Sequence, residues 1–251
     1  MRIFSDPLEA LREVERELWE MGITVHPQTM QDKVIKDDEN FWTKEVRGYA
    51  FKISGWSFNW EEASRVLAFL SPDKTEELVR YCKRELDDRL CGEPLNPGNA
   101  YGHRPEIWSE FLHNGKFSYT YAERLAPQLK VIMSELRTNP ETRQAILNIH
   151  SNIAVHMTDP ITPSHDLISI GGKERIPCSM YYQLLIREHY LELIYTMRSC
   201  DLLTHFPIDL VIALAIQYWF AHELGLEVGT FTMFIGSLHA YYKDIAARKI
   251  F

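Results

Sequence analysis

Hydrophobic residues recur at helical spacing near the start of the chain and again at several later points. Leu8, Leu11 and Leu18 share one face of a predicted helix that starts at Pro7 and stops before Gly22. The same spacing predicts further helices over residues 60–70, 72–90, 107–112, 122–136, 208–224 and 239–247. Helices are therefore expected along the whole length of the chain.

Short runs of β-branched and aromatic residues between these helices predict strands. They cover residues 49–53, 144–155, 180–187, 191–197 and 230–235. Loops are predicted for 23–46, 91–105 and 157–176, the last of them mobile. Because strands and helices mix without regular βαβ alternation, the sequence predicts an α+β fold, which we expect to form one domain over residues 1–251.

Composition and charge narrow the range of partners. The chain has 251 residues, of which 45% are hydrophobic and 25% charged, an ordinary balance for a globular protein with a sizeable core. The formal net charge of −8 argues against a nucleic acid polymer as the partner, although a few clustered arginines could still bind a small anion. The apolar stretch 208–224 is interrupted by Asp209, Gln217 and His222, so we expect no membrane span there.

The cysteines Cys82, Cys91, Cys178 and Cys200 form neither a CxxC pair nor a metal-ligand spacing. The first residues also carry no signal-peptide pattern. We therefore expect free thiols in a reducing, cytoplasmic compartment, and no metal site. A free cysteine is usually a small buried hydrophobe, so a reactive one needs further support.

Such support surrounds Cys178, which follows Pro177 between a predicted loop and a predicted strand. On its own, Cys178 would more often be a structural residue than a nucleophile. Arg198 would place positive charge near the thiol and could hold a phosphate, and Ser199 adds a hydroxyl donor. The residues that follow Cys178 at fixed distances are Gln183, Arg198-Ser199-Cys200-Asp201, Asp209 and Gly236-Ser237-Leu238-His239-Ala240-Tyr241.

This order of Pro-Cys, Gln, Arg-Ser-x-Asp, a polar residue eight positions later, and Gly-x-x-His-x-Tyr resembles the thymidylate synthase family. The match covers residues 177–241 well and is thinner upstream. The resemblance implies a large twisted mixed β-sheet packed with helices, with one sheet face used for dimerisation. It also implies that the Cys178 thiolate adds to C6 of a pyrimidine, so that C5 can accept a one-carbon unit from 5,10-methylenetetrahydrofolate.

The resemblance assigns roles to the other residues of the pattern as well. Asp201 would face the pterin of the folate. Arg198 and Ser199 would bind the 5′-phosphate, and His239 and Tyr241 would bond the 3′-hydroxyl of the sugar. Gln183 completes the implied substrate-binding set.

Three residues upstream match the family less closely. Lys83-Arg84-Glu85-Leu86 resembles the segment with the catalytic glutamate, which would relay protons through water. Trp108 resembles the tryptophan on the folate side, and Tyr119 matches the active-site tyrosine. The alternatives are a solvated helix face for Glu85 and core packing for Trp108.

The segment Asn139-Pro140-Glu141-Thr142-Arg143-Gln144 resembles the one that sends two arginines into the neighbouring subunit's phosphate site. Arg143 is present here, whereas Gln144 occupies the second position. The resemblance therefore implies a homodimer in which each site borrows Arg143 from the other subunit.

Asp209 differs from the residue that the synthases carry at this position, and this difference bears most on the choice of substrate. The synthases carry Asn at this position, whose amide pairs with O4 and N3–H of uracil. A carboxylate instead accepts from the N4 amino group of cytosine and would face O4 of uracil acceptor to acceptor. Asp209, together with Gln183-Leu184-Leu185-Ile186-Arg187 and Met197-Arg198-Ser199, resembles the deoxycytidylate hydroxymethylases of bacteriophages. The alternative is that Asp209 is only a helix N-cap.

The resemblance thus implies hydroxymethylation of dCMP at C5, giving 5-hydroxymethyl-dCMP. Methylation of dUMP is one alternative, against which Asp209 and Met197 argue. A catalytically silent nucleotide-binding protein is another, favoured by Gln144 and by the short segment after Tyr241. The expected partners are the nucleotide, the folate and a second copy of the chain.

Overall fold

The computed structural model describes residues 1–30, 33–150 and 176–248 of the chain. Residues 151–155 of one predicted strand and most of the loop predicted at 157–176 lie outside these ranges. None of the helices within these ranges is long and apolar enough to cross a membrane.

A mixed sheet of seven strands forms the centre of the described part of the chain. Its strands are β1 (Arg2–Phe4), β2 (Ile23–Val25), β5 (Thr43–Ile53), β6 (Ile146–Asn148), β7 (Ser179–Arg187), β8 (Tyr190–Asp201) and β9 (Glu227–Tyr241). They are ordered β1-β5-β9-β8-β7-β6, and β2 pairs with β5 as well. The pairs β1–β5 and β8–β9 are parallel, and the others are antiparallel. Two further strands, β3 (Thr29–Met30) and β4 (Lys33–Val34), pair only with each other.

The helices begin where the sequence provides start signals. They are α1 (Pro7–Met21), α2 (Trp60–Leu67), α3 (Thr75–Leu90), α4 (Pro105–Trp108), α5 (Tyr121–Thr138), α6 (Phe206–Leu224) and α7 (Tyr242–Ala247). The Asp6 carboxylate accepts from the first backbone N–H groups of α1, and Thr120 and Glu123 form a capping box at α5. Gly225 ends α6 in the left-handed conformation, with φ at 67°.

Alternation along the strands decides which face of the sheet the helices cover. On β8, Leu191, Leu193 and Tyr195 are fully buried, whereas the residues between them are partly exposed. The buried face packs against α6, which is apolar almost all round, as expected for a helix inside the core. Gln217 of α6 donates to the carbonyls of Leu191 and Gly229 and so fixes the helix to β8 and β9.

The observed elements confirm the predicted α+β fold, and most strands are longer than the sequence indicates. The strand predicted at 144–155 is the exception, because within the described residues only Ile146–Asn148 are strand. Strand β5 begins at Thr43, and β9 extends from Glu227 to Tyr241. The helix predicted at 239–247 is wrong at its start, because residues 239–241 pair with β5, and His239 pairs with β8 as well. The helix predicted at 60–70 ends at Leu67, and residues 72–74 form a 3₁₀ turn before α3.

Candidate active site

Cys178 lies immediately before β7, beside the end of β8. The backbone N–H of Arg198 donates to the Cys178 carbonyl over 2.8 Å. The Ser199 hydroxyl donates to Cys178 Sγ over 3.6 Å, and Arg198 Nη1 donates to Ser199 Oγ over 3.1 Å. A cation, a hydroxyl and a half-buried thiol therefore lie in series, in which Arg198 donates to Ser199 and Ser199 donates to the sulfur. This arrangement suits a sulfur that carries negative charge.

The Arg198 side chain also holds the segment before Cys178. Its Nε donates to the Pro177 carbonyl over 2.9 Å and its Nη2 to the Ile176 carbonyl over 3.0 Å. A guanidinium has five N–H donors, and the described contacts use three of them. Two donors are left for an anion. At Gly236 of β9, an added Cβ would meet the Arg198 carbonyl at 2.7 Å, so this close approach of the two strands requires glycine.

The register of β8 and β9 brings the later motif residues to the same edge. Asp201 lies opposite His239 in the parallel ladder, and Tyr241 follows two residues later. The rings of His239 and Tyr241 meet edge to face, with centroids 5.3 Å apart. Burial, with the nearby Asp201 and Cys178, raises the pKa of Tyr241 well above its usual range. The structure thus brings Cys178, Ser199, Asp201, His239 and Tyr241 to one end of adjacent strands.

Asp209 lies inside the first turns of α6, and its helix N-cap alternative is wrong. The capping position belongs to His205, whose carbonyl accepts from the Asp209 backbone N–H over 2.9 Å. The Asp209 carboxylate accepts instead from Cys200 Sγ at 3.7 Å. Burial raises the pKa of Asp209 to about 6, while the positive charge of Arg89 opposes that rise.

Glu85 does not lie on a solvated helix face, so that alternative is also wrong. Its side chain is 16% exposed, and Oε1 accepts from Nε of Arg89 over 2.7 Å. Arg89 is 3% exposed and donates from Nη1 to the Tyr182 hydroxyl over 3.1 Å. Although α3 is rich in charged residues, its Glu85–Arg89 ion pair is therefore largely buried and faces the core.

An aromatic cavity opens beside Glu85 and contains the other two upstream residues. Trp108 stacks on His205 with ring centroids 5.8 Å apart and an interplanar angle of 27°. Tyr119 is buried, and the Arg124 guanidinium carbon lies 4.5 Å from its ring centroid. The cavity is lined by Tyr81, Glu85, Pro97, Tyr101, Trp108, Phe117, Tyr119, Thr120 and Tyr121. Aromatic side chains of this kind offer flat apolar faces on which a planar ring can stack.

Arg143 and Gln183 lie apart from this group. Gln183 Nε2 donates to the Arg143 carbonyl over 3.0 Å, and the Arg143 side chain is exposed. Within the described ranges, no hydrogen bond or ion pair joins either residue to Cys178. Gln183 is therefore placed at the face of the sheet opposite the helices, next to the backbone of residue 143.

The motif analysis missed a set of buried hydroxyl groups beneath Cys178. Ser179 Oγ lies 2.5 Å from the Tyr195 hydroxyl and donates to the Tyr121 hydroxyl over 3.3 Å. A register shift between Ser179 and Tyr181 lets both Ser179 and Tyr182 face the core. Ser179 and Tyr182 would face opposite sides of a regular strand, so the sequence gives no signal for this network.

Comparisons with known proteins agree with this fold. The family model described as thymidylate synthase matches residues 50–250. The solved structure of thermostable thymidylate synthase A from Bacillus subtilis superposes with a TM-score of 0.66 at 15% identity, covering 98% of this chain and 83% of that one. The chain therefore belongs to the thymidylate synthase family.

A relative from Bacillus phage SP01, named deoxyuridylate hydroxymethyltransferase, is similar over part of its length. It is 30% identical over 151 residues, which is 59% of this chain and 34% of that protein. The chain thus spans about a third of the length of this curated relative.

Proposed function

We propose that the chain transfers a one-carbon unit from 5,10-methylenetetrahydrofolate to C5 of dCMP and releases 5-hydroxymethyl-dCMP. The observation that carries this proposal is the Cys178 sulfur, which accepts from Ser199 beside Arg198 at the edge where Asp201, His239 and Tyr241 gather. Family membership supports the reaction type, and Asp209 supports the choice of base.

The first chemical step would be addition of the Cys178 thiolate to C6 of the base. The new S–C6 bond takes its electron pair from sulfur, and the C5=C6 pair moves to C5, which becomes nucleophilic. Ser199 stabilises the attacking thiolate by donating to it. Methylenetetrahydrofolate would supply the one-carbon unit at the oxidation level of formaldehyde.

Completion of the reaction requires proton transfers near C5. C5 would bond to the methylene carbon, the C5 proton would leave to a base, and the bond from that carbon to the folate nitrogen would break, which releases tetrahydrofolate and leaves an exocyclic methylene group. Water would then add to this methylene carbon to form the hydroxymethyl group, and the C6–S bond would break to return the thiolate and restore the C5=C6 double bond. Glu85, which lines the cavity with Tyr119 and Tyr121, would relay these protons through water. Trp108 in the same cavity would stack on the folate, with Asp201 facing its pterin.

The positions of the two arginines that would bind the 5′-phosphate favour a dimer. Arg198 retains two donors for the 5′-phosphate, and Arg143 points to solvent next to the uncovered sheet face. That face carries apolar side chains, including Ile194 and the 42% exposed Phe234. Packing of two such faces would bury them and bring Arg143 of one subunit toward Arg198 of the other.

Recognition of the base depends on the protonation state of Asp209. As a carboxylate it accepts from the N4 amino group of cytosine and repels O4 of uracil. Burial raises the pKa of Asp209 to about 6, which is still below neutral pH. The carboxyl group is therefore largely ionised at neutral pH and keeps its preference for cytosine.

Hydroxymethylation of dUMP is the second candidate, and one specific observation favours it. The phage relative that is 30% identical is named for deoxyuridylate. The two candidates share Cys178, Ser199 and the folate cavity, and they differ at the contact of Asp209 with the base.

One assay separates the candidates. The protein is incubated with methylenetetrahydrofolate and either dCMP or dUMP carrying tritium at C5, and tritium release, dihydrofolate absorbance and product mass are measured. We expect tritium release and a hydroxymethylated product from dCMP without dihydrofolate. Formation of dihydrofolate from dUMP would indicate methylation, and hydroxymethylation of dUMP alone would overturn the choice of base. Nucleotide binding without tritium release would indicate a catalytically silent protein.

A further inference from the structure

The buried Arg89 has contacts that no part of the reaction described above uses. Its side chain is 3% exposed and is surrounded by the Glu85 carboxylate, the Tyr182 hydroxyl and the Tyr121 ring. Removing a guanidinium from water costs several kcal/mol, so a buried arginine requires partners that offset this desolvation penalty. We propose that Arg89 is a positioning residue that holds Glu85 in its working orientation and ties it to the segment that carries Cys178, an inference that rests on the proposed function.

The contact with Glu85 fixes one oxygen of that carboxylate. Glu85 Oε1 accepts from Arg89 Nε over 2.7 Å, one helical turn apart on α3. Among the residues that the structure describes, Glu85 Oε2 has no hydrogen-bond partner, and Glu85 lines the aromatic cavity. Arg89 therefore occupies Oε1 of the carboxylate and leaves Oε2 for water or substrate.

Two further contacts fix Arg89 itself. Its Nη1 donates to the Tyr182 hydroxyl over 3.1 Å, and Tyr182 stacks on Tyr195 with ring centroids 4.5 Å apart. Its guanidinium carbon lies 3.9 Å above the centroid of the Tyr121 ring, within the range of a cation–π contact. The arginine is thus held by strand β7, by helix α5 and by its own helix.

The same contacts reach the nucleophile. The Tyr121 hydroxyl accepts from Ser179, the residue that follows Cys178, and Ser179 also bonds to Tyr195. A shift of Arg89 would therefore disturb the Glu85 carboxylate and the start of β7 together. These contacts would keep the Glu85 carboxylate and the Cys178 sulfur in fixed positions relative to each other.

A lysine cannot reproduce this geometry. Arginine directs Nε and Nη1 at two acceptors in different directions while its flat face stacks on a ring, whereas lysine offers a single charged point. The requirement for arginine, and not only for positive charge, follows from the shape of the site.

The test uses the full chain and the variants Arg89→Lys, Arg89→Gln, Glu85→Gln and the double variant Glu85→Gln/Arg89→Gln. Arg84→Gln is the matched control, because Arg84 lies on the exposed side of the same helix. Tritium release from C5 gives kcat and KM, and thermal unfolding confirms that each variant is folded.

We expect Arg89→Gln to lower kcat by about 10- to 100-fold with KM for the nucleotide changed less than about threefold, since misplacing a catalytic group affects turnover most. Arg89→Lys should stay at least about fivefold below the wild type. The further loss of kcat from Glu85→Gln to the double variant should be much smaller than the loss from the wild type to Arg89→Gln, because most of the effect of Arg89 is exerted through Glu85. If the losses of kcat in the two single variants multiply in the double variant, the inference is overturned. An unchanged kcat in Arg89→Gln would overturn it as well.

A crystal structure of Arg89→Gln separates this inference from the proposed function. We expect the Glu85 side chain to leave its present rotamer while the backbone of α3 is unchanged. If Glu85 keeps its orientation, the positioning role is overturned whatever the activity. If the wild type releases no tritium from any nucleotide but Glu85 moves in the variant, the proposed function fails and the positioning contact stands.

Discussion

The Ser199 hydroxyl lies 3.6 Å from the sulfur of Cys178, and Arg198 donates to the same hydroxyl from the other side. The contact joins the end of β8 to the residue before β7, so its geometry is set by the pairing of the two strands. A thiolate at this position is stabilised by a donor that needs no rearrangement when the sulfur becomes charged.

Replacement of Ser199 by alanine should therefore weaken the attack on C6. A hydrogen bond to a charged group contributes about 1.5–3 kcal/mol, so kcat/KM should fall by about 10- to 100-fold. Ser64→Ala is a suitable control, because that hydroxyl bonds a carbonyl within α2, away from the site. Steady-state tritium release measures the effect, and wild-type activity in Ser199→Ala would show that the contact has no catalytic role.

Asp209→Asn should reverse the preference between bases. The amide can donate to O4 of uracil, whereas the carboxylate can only accept, and a buried mismatch of this kind changes the ratio of kcat/KM values by at least about 100-fold. Competition between dCMP and dUMP measures that ratio directly. A wild type that already prefers dUMP would contradict the role given to Asp209.

The preference of the wild type should also depend on pH. Burial raises the pKa of Asp209 to about 6, so the carboxyl group gains a proton and becomes a donor as the pH falls through that value. Discrimination against dUMP should be greatest above about pH 7 and should weaken toward about pH 5. A ratio of kcat/KM values that stays constant over this range would exclude the ionisation of Asp209 as its cause.

The same raised pKa predicts a stability effect. Asp209 binds its proton more tightly in the folded chain than in the unfolded chain, so its ionised form opposes folding at neutral pH. A shift from 3.8 to about 6 corresponds to a penalty of up to about 3 kcal/mol. Asp209→Asn should unfold at higher denaturant concentration than the wild type at about pH 8, and the gap should shrink as the pH falls from about 6 to 4. A gap that does not depend on pH would contradict this account.

Arg143 gives a prediction about the assembly. If each site borrows Arg143 from the other subunit, Arg143→Ala and Cys178→Ser should both be nearly inactive alone. An equal mixture, unfolded and refolded together, should recover about a quarter of wild-type activity, because half of the dimers are mixed and each has one intact site. A mixture no more active than its components would show that Arg143 serves its own chain or none.

Much of the fold could be predicted from the sequence, because local patterns and burial agree there. Helix α1 follows its Asp6 cap and its apolar face, and strands β7 and β8 follow their alternation. The last three residues of β9 could not be predicted, because residues 239–241 are strand only through their pairing with β5 and, at His239, with β8. Pairing between distant segments leaves little trace in a local pattern.

Part of the candidate site could also be predicted from the sequence. Cys178, Ser199 and His239 lie in ordered motifs that the sequence shows, although the strand pairing that brings them to one edge of the sheet could not be predicted. Arg89 and Tyr121 could not be predicted, since a charged residue on a mostly polar helix is normally exposed, and only tertiary packing buries this one.

The central claim is that the sulfur of Cys178 bonds to C6 of the base. The most direct measurement is NMR of dCMP labelled with carbon-13 at C6, mixed with the full chain and methylenetetrahydrofolate. We predict that a fraction of the C6 signal moves from the aromatic to the saturated carbon region in the wild type and in a variant of the exposed Cys91, Cys91→Ser. The shift should be absent in Cys178→Ser. A Cys178→Ser protein that turns over dCMP at the wild-type rate, or shows the same shifted signal, would contradict the account.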